Sequence, residues 1–172
     1  MEKRLRIIVC GVGFGQFYIR AIDKIKCKYK LVGILSRGSE WSKQWTKKYG
    51  VILYTDIDEI TKENVDVVCV VIKSTVVNGE GSTIVHSLLE KGINVIQEHP
   101  IDIDDYIMCI KIAQKNCCMY RLNTFYPQLS NVKQFIFLAG KLREKNDVQY
   151  INAECSVHVL FPLIDILGRA IG

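Results

Sequence analysis

Residues 5–22, LRIIVCGVGFGQFYIRAI, pass from an unbroken apolar run through three glycines in five positions into an amphipathic helix. Few folds accommodate that succession. An apolar run of this kind needs cover on both faces, and glycines let the main chain turn tightly enough for the helix to pack back on the strand it follows. Phe14, Phe17, Tyr18, Ala21, Ile22 and Ile25 recur at helical spacing, which gives the helix a face to bury.

The same unit repeats along the chain. YKLVGIL (29–35) reads as a second strand, and after it Trp41, Trp45 and Tyr49 fall on one helical face, with Ser39 as N-cap and Gly50 as the stop after two lysines. VILY (51–54), VDVVCVVI (65–72), INVIQE (93–98) and CMYRLNTFY (118–126) supply further strands, with helices over 81–92 and 104–116. Apolar strands joined by helices imply an α/β fold, a Rossmann-type doubly wound parallel sheet, over residues 1–127. After Pro127 the pattern changes: a helix carries Val132, Phe135, Ile136, Ala139 and Leu142, and YINAECSVHVL (150–160) then alternates apolar and polar residues strictly. That alternation predicts a strand with one wet face. Residues 128–172 therefore read as the start of an α+β substrate domain with an open sheet, closed by the helical PLIDILGRAIG. A lone strand cannot bury its apolar face, so the chain reads as part of a larger protein.

Composition excludes several classes. The net charge of +5 is spread over helix faces such as DKIKCKYK and forms no basic stripe with interleaved aromatics, which argues against nucleic-acid binding. No apolar run reaches the ~20 residues of a membrane helix, and MEKRLRIIVCG lacks a signal-peptide core. Seven cysteines, an odd number lying partly in apolar runs, read as buried small hydrophobes of a cytoplasmic protein. His86, His99 and His158 have no metal-ligand spacing to them, so no metal site is expected.

The glycine loop carries the chemistry. Gly11 and Gly13 match G-x-G-x-x-G, while the third glycine is Gly15, with Gln16 in its expected place. Such a loop lets a pyrophosphate reach the N-terminus of the following helix, where unpaired N–H groups and the helix dipole favour anions. Gly11, Gly13, Phe14, Gly15 and Gln16 are thus expected against a dinucleotide. At the end of the second strand, Ser36, Arg37, Gly38 and Ser39 stand where an NAD site places a carboxylate for the ribose hydroxyls. Arg37 suits a 2′-phosphate by charge and fork geometry, and the serine hydroxyls can donate to it, so NADPH is the expected cofactor.

At the carboxyl ends of the later strands the chain has VIQEHP and LNTFYP. Here it resembles the glucose–fructose oxidoreductase and inositol dehydrogenase superfamily, whose Glu-Lys-Pro motif corresponds to Glu98-His99-Pro100. Within it the chain is most similar to the thiazolinyl imine reductases of siderophore assembly lines, through CGVGFGQFY, LVGILSRGS, YGVILYT, VVIKSTVVNGEGS, INVIQEHP, LNTFYP and DILGRAIG. Those reductases usually have lysine at the position of Gly13. The resemblance implies transfer of hydride from NADPH to the carbon of a thiazoline C=N and of a proton to its nitrogen. The substrate would be a thioester on a carrier domain of a nonribosomal peptide synthetase. A homodimer built through the open sheet is implied for the full-length protein. Lys73 and Ser74, after the fourth strand, and Glu98 are expected beside the cofactor.

His99 and Tyr126 are the candidate proton donors. An imidazole titrates near ~6.5 and releases a proton readily at neutral pH, whereas a phenol near ~10 holds its proton until the imine nitrogen gains electrons. Each also has a plainer reading, His99 as a cofactor contact and Tyr126 as a wall of the nicotinamide pocket. Asp165 matches the aspartate of the superfamily's Asp-x-x-x-His, but Arg169 takes the histidine position, which argues against a sugar or polyol dehydrogenase. A truncated, non-catalytic NADPH-binding protein is the remaining alternative.

Overall fold

The computed structural model describes residues 3–72 and 79–172. Two compact units divide the chain, Met1–Asn123 and Thr124–Gly172. The division comes slightly ahead of the break expected at 127.

The first unit is built on one sheet of six strands, β1 (Leu5–Cys10), β2 (Tyr29–Leu35), β3 (Ile52–Tyr54), β4 (Val67–Val70), β5 (Asn94–Glu98) and β6 (Tyr120–Asn123). Their order is β3-β2-β1-β4-β5-β6 and every pairing is parallel. Strict alternation of buried side chains along β1 explains why Ile7–Cys10 are all apolar. Ile7 and Val9 join Ile19, Ile22, Ile34 and Trp45 in one core cluster, while Ile8 and Cys10 join Val68, Val85, Leu88 and Cys109 in another. Helices α1 (Gly15–Lys24) and α2 (Glu40–Tyr49) thus cover one face, and α3 (Glu80–Glu90) and α4 (Ile103–Lys115) the other. This is the doubly wound sheet that the alternation of strands and helices implies.

Local signals end the elements where expected. The Ser39 hydroxyl accepts the Ser42 N–H at 3.2 Å, and Gly50 closes α2 in the left-handed region at φ 63°. At the opposite end of the sheet, Asp66 accepts from the Arg6 main chain at 2.7 Å and from its guanidinium at 2.8 Å, joining the starts of β1 and β4. Those bonds hold the Asp66 carboxyl down at about 2.

Three cysteines fit the reading as small hydrophobes. Cys10, Cys69 and Cys109 are buried, and burial pushes the Cys10 and Cys69 thiols up to about 12. Cys27, Cys117 and Cys155 do not fit it, because they lie in turns and an irregular segment and are exposed.

In the second unit, helices α5 (Ser130–Arg143) and α6 (Leu160–Ile171) pack on one another and on a 3-10 turn at Tyr126–Gln128. The strand expected over 150–160 is not formed. Residues 147–156 have neither helix nor strand, and a 3-10 turn at Val157–Val159 leads directly into α6. The open sheet expected in residues 128–172 is therefore absent from the described residues. Alternation gives a segment two faces, but only a paired strand gives its N–H and C=O groups partners better than water, and this unit offers no second strand. Residues 151–158 are exposed throughout.

Candidate active site

Parallel strands bring their carboxyl ends to one edge of the sheet. The glycine loop follows β1 there, Ser36–Ser39 follow β2, Glu98 and His99 end β5, and Asn123 ends β6. Strand order reverses between β1 and β4, and the crevice at such a reversal is where doubly wound sheets take ligands.

The glycines of the loop have different tasks. Gly11 sits at φ 89°, and a Cβ there would stand 3.1 Å from Ile72 Cγ1 and 3.2 Å from the Val71 carbonyl oxygen. Gly15 is buried, and a Cβ on it would stand 3.0 Å from Val9 Cγ1, so it is Gly15 that lets α1 lie close on β1. The usual fingerprint gives that task to the next position, which is Gln16 here; its amide instead donates to the Gly13 carbonyl at 3.0 Å. Gly13 is exposed, with nothing within 4 Å of where its Cβ would be. Phe14, at the N-cap position of α1, makes no side-chain cap, and the first turn holds no acidic residue. A closely packed helix whose uncapped N-terminus lies under an open main-chain loop fits a pyrophosphate.

Beyond β2, Gly38 takes φ 80° and its N–H is accepted by the Ser36 hydroxyl at 3.2 Å. Ser39 is occupied in capping α2. The Arg37 side chain is 89% exposed, with its guanidinium 3.6 Å from the Glu80 carboxylate at the start of α3. Lys73 and Ser74 lie outside the described residues.

Glu98 and His99 form the polar centre of this edge. Glu98, only 7% exposed, accepts from three donors: the Tyr18 hydroxyl and the Asn123 amide on Oε2, the latter at 3.1 Å, and the His99 ring on Oε1. The Oε1 contact is to His99 Nδ1 at 2.8 Å. Where a carboxylate oxygen accepts, as Oε1 does here, the hydrogen of the bond is carried by Nδ1. The His99 N–H donates to the Asn123 carbonyl at 3.2 Å, which fixes the main chain beneath the ring. Burial and the hydrogen bond to Glu98 raise the Tyr18 phenol well above its ordinary range, so it remains a donor.

Sequence reasoning found Glu98 and His99 but missed Tyr18 and Asn123. The helical spacing sets Tyr18 beside Phe14, Phe17 and Ile22, a ring with a polar tip among apolar neighbours. Such a tip on a face turned toward a sheet needs a buried partner, and that signal was available in the sequence.

Tyr126 belongs to the second unit. It opens the 3-10 turn, is 39% exposed, and has its ring 5.9 Å from that of Phe125. In the same unit Asp165 accepts from the Thr124 hydroxyl and from Arg169 Nε at 2.8 Å. The arginine that replaces the superfamily histidine therefore neutralises the aspartate. His158 is exposed in the second 3-10 turn, and His86 Nε2 is buried on α3 without a hydrogen-bond partner among the described residues.

The model of an oxidoreductase family with an NAD-binding Rossmann fold, GFO/IDH/MocA, matches residues 5–124. The chain belongs to that family. No curated protein matches it. Among solved structures it is similar to GenD2 from gentamicin A biosynthesis in complex with NAD, at a TM-score of 0.75 and 18% identity over 86% of this chain and 42% of that one. It is also similar to scyllo-inositol dehydrogenase from Lactobacillus casei with bound NAD(H) and scyllo-inositol, at a TM-score of 0.70 and 20% identity over 84% and 43% of the two chains. A third is a putative NADPH-dependent oxidoreductase from Desulfitobacterium hafniense, at 0.71 and 16% over 84% and 41%. The chain spans under half the length of these structures. At such identities the likeness is one of fold, and it agrees with the family's dinucleotide-binding sheet.

Proposed function

We propose that this family member is a cytoplasmic, NADPH-dependent thiazolinyl imine reductase that acts on a thiazoline thioester carried by a nonribosomal peptide synthetase. The observation that carries the reading is the Glu98–His99 pair at the end of β5. Reduction of C=N needs one proton delivered to nitrogen, and an imidazolium whose Nδ1–H is held by a carboxylate is equipped to deliver it from Nε2. Tyr126 is the other candidate donor. Asp165, bonded to Arg169, lacks the histidine that a polyol oxidation would use, which favours an imine over a sugar.

The main chain of Gly11–Gln16 and the start of α1 would hold the pyrophosphate. Arg37, flanked by Ser36 and Ser39, would hold the 2′-phosphate, exchanging its contact with Glu80 for the ligand. When bound, NADPH would supply the hydride for the imine carbon. His99, as the imidazolium, would release its Nε2 proton to the imine nitrogen and be left as the Nδ1–H imidazole, Glu98 holding the ring as it does so, and a thiazolidine would result. No metal enters the reaction.

Two measurements test this. In fluorescence titrations NADPH binds more tightly than NADH, and Arg37→Ala weakens NADPH by about tenfold or more while leaving NADH unchanged. With NADPH and a carrier-bound thiazoline, mass spectrometry finds a gain of two hydrogens on the thioester. Oxidation of inositol or a sugar with no change in the thiazoline would replace this reading with that of a polyol dehydrogenase. NADPH binding with neither reaction would leave a nucleotide-binding protein.

A further inference from the structure

Glu98 is nearly buried, yet its side chain ends in a torsion that is intrinsically soft: the terminal sp³–sp² rotation of a glutamate has broad, two-fold wells. A carboxylate left to itself would therefore offer either oxygen to His99 over a wide range of angles. Here the two oxygens are sorted. Oε2 takes both the Tyr18 hydroxyl and the Asn123 amide, and Oε1 meets His99 Nδ1 at 2.8 Å. Tyr18 and Asn123 are also bonded to one another, the amide donating to the phenol oxygen, so the clamp is a closed triangle on one carboxylate oxygen. Its members come from α1, β6 and the end of β5, three elements fixed by the core of the same unit.

We propose that Tyr18 and Asn123 are positioning residues that set the tautomer and aim of His99 through Glu98. The inference rests on the reading of His99 as proton donor. By holding Oε2 they fix the plane of the carboxylate, Oε1 keeps the hydrogen on Nδ1, and Nε2 is held in one direction. Tyr18 lies in the helix that the glycine loop opens, so the element that receives the cofactor also supports the acid. If they served packing alone, the tautomer of His99 would not change when Tyr18 or Asn123 is replaced.

The test reads the ring directly. Two-bond proton–nitrogen NMR on the protein labelled with 15N-histidine distinguishes an Nδ1–H from an Nε2–H imidazole and needs no turnover. His99 in the parent is expected to show the Nδ1–H pattern, Glu98→Leu to lose it, and Tyr18→Phe and Asn123→Ala each to shift it to a mixture of tautomers. In the reductase assay the same two variants should lower kcat by about tenfold to a hundredfold, the usual cost of losing a group that orients a histidine, with KM for NADPH within about twofold of the parent. An unchanged Nδ1–H pattern in both variants, beside its loss in Glu98→Leu, overturns the proposal. If Tyr18→Phe does not fold, Asn123→Ala decides alone, because it removes a donor to Oε2 and leaves the phenol in place. Absence of C=N reduction in the parent would sink the proposed function, while the tautomer pattern would still report on the clamp.

Discussion

The two units of this chain treat apolar side chains in opposite ways. In Met1–Asn123 every strand has a neighbour and both faces of the sheet are covered, so residues such as Ile8, Val9, Val68 and Leu88 are removed from water completely. In Thr124–Gly172 the buried positions are Thr124, Pro127, Pro162 and Ala170, while Phe135, Phe137, Leu138, Leu142 and Ile164 remain exposed on α5 and α6. The apolar content of the two stretches is similar in kind. What differs is topology: a sheet with helices on both sides brings its own cover, and a pair of helices covers only the faces it shares. Stability should accordingly reside in the first unit, and so should the cofactor loop and the Glu98–His99 pair.

The most severe test of that contrast deletes one large apolar side chain from each unit. Ile8→Ala, in the middle of β1 at zero exposure, should destabilise the first unit by about 3–4 kcal/mol, since the cavity lies between packed layers that can relax little. Phe137→Ala, at 62% exposure, removes a larger group and should change stability by less than about 0.5 kcal/mol. Urea unfolding followed by far-ultraviolet circular dichroism measures both. Comparable losses for the two variants would show that the helical unit buries Phe137 against something, and the contrast would fail.

The contrast also explains which parts of the fold were legible in the sequence. The sheet was readable because unbroken apolar runs such as IIVC and VVCV are consistent only with two covered faces, and because Ser39 and Gly50 mark helix ends by chemistry local to themselves. The strand at 150–160 was misread for the complementary reason. Alternation there satisfies the pattern of a strand, but pairing is not a local property, and among the described residues of its unit there is nothing to pair with. At the site, Glu98 and His99 were visible through their position at a strand end and through the family motif. Tyr18 showed only that its polar tip would need a partner, and Asn123 not even that, because their shared role depends on α1 and β6 meeting one carboxylate from distant parts of the chain.

Within the first unit the glycine loop offers a finer comparison, between a glycine required by the fold and one required by a ligand. Gly11→Ala forces a side chain into the left-handed region at φ 89° and against Ile72, and should cost about 2 kcal/mol of stability as well as binding. Gly13→Ala meets nothing within 4 Å and should leave stability within about 0.5 kcal/mol of the parent. Where a pyrophosphate approaches the main chain at this glycine, as proposed, the added methyl should still weaken dinucleotide binding by about tenfold. Thermal melts without cofactor and titrations with NADPH separate the two effects. Equal loss of stability in both variants would mean that Gly13, too, serves the fold.

The smallest expected effects compare an ion pair built into the sheet with one on α5. Asp66 receives three bonds from Arg6 and its carboxyl is held at about 2, below its ordinary 3.8. A depressed carboxyl stabilises the fold at every pH above its unfolded value, and that contribution fades as pH falls from about 4 toward 2. Because both partners are partly solvated, the contribution at neutral pH should be on the order of 1 kcal/mol. Asp66→Asn should therefore lower stability at pH 7 by about that amount, by progressively less in acid and by nothing below about pH 2, so that the stability curves of parent and variant converge. Glu144, 3.4 Å from Lys141 with both side chains more than half exposed, gains little Coulomb energy against the entropy of holding two long side chains. Glu144→Gln should give a curve parallel to the parent's across the whole range. A convergence in Glu144→Gln like that in Asp66→Asn would show that α5 holds its charges as firmly as the sheet does, and would move part of the molecule's stability into the second unit.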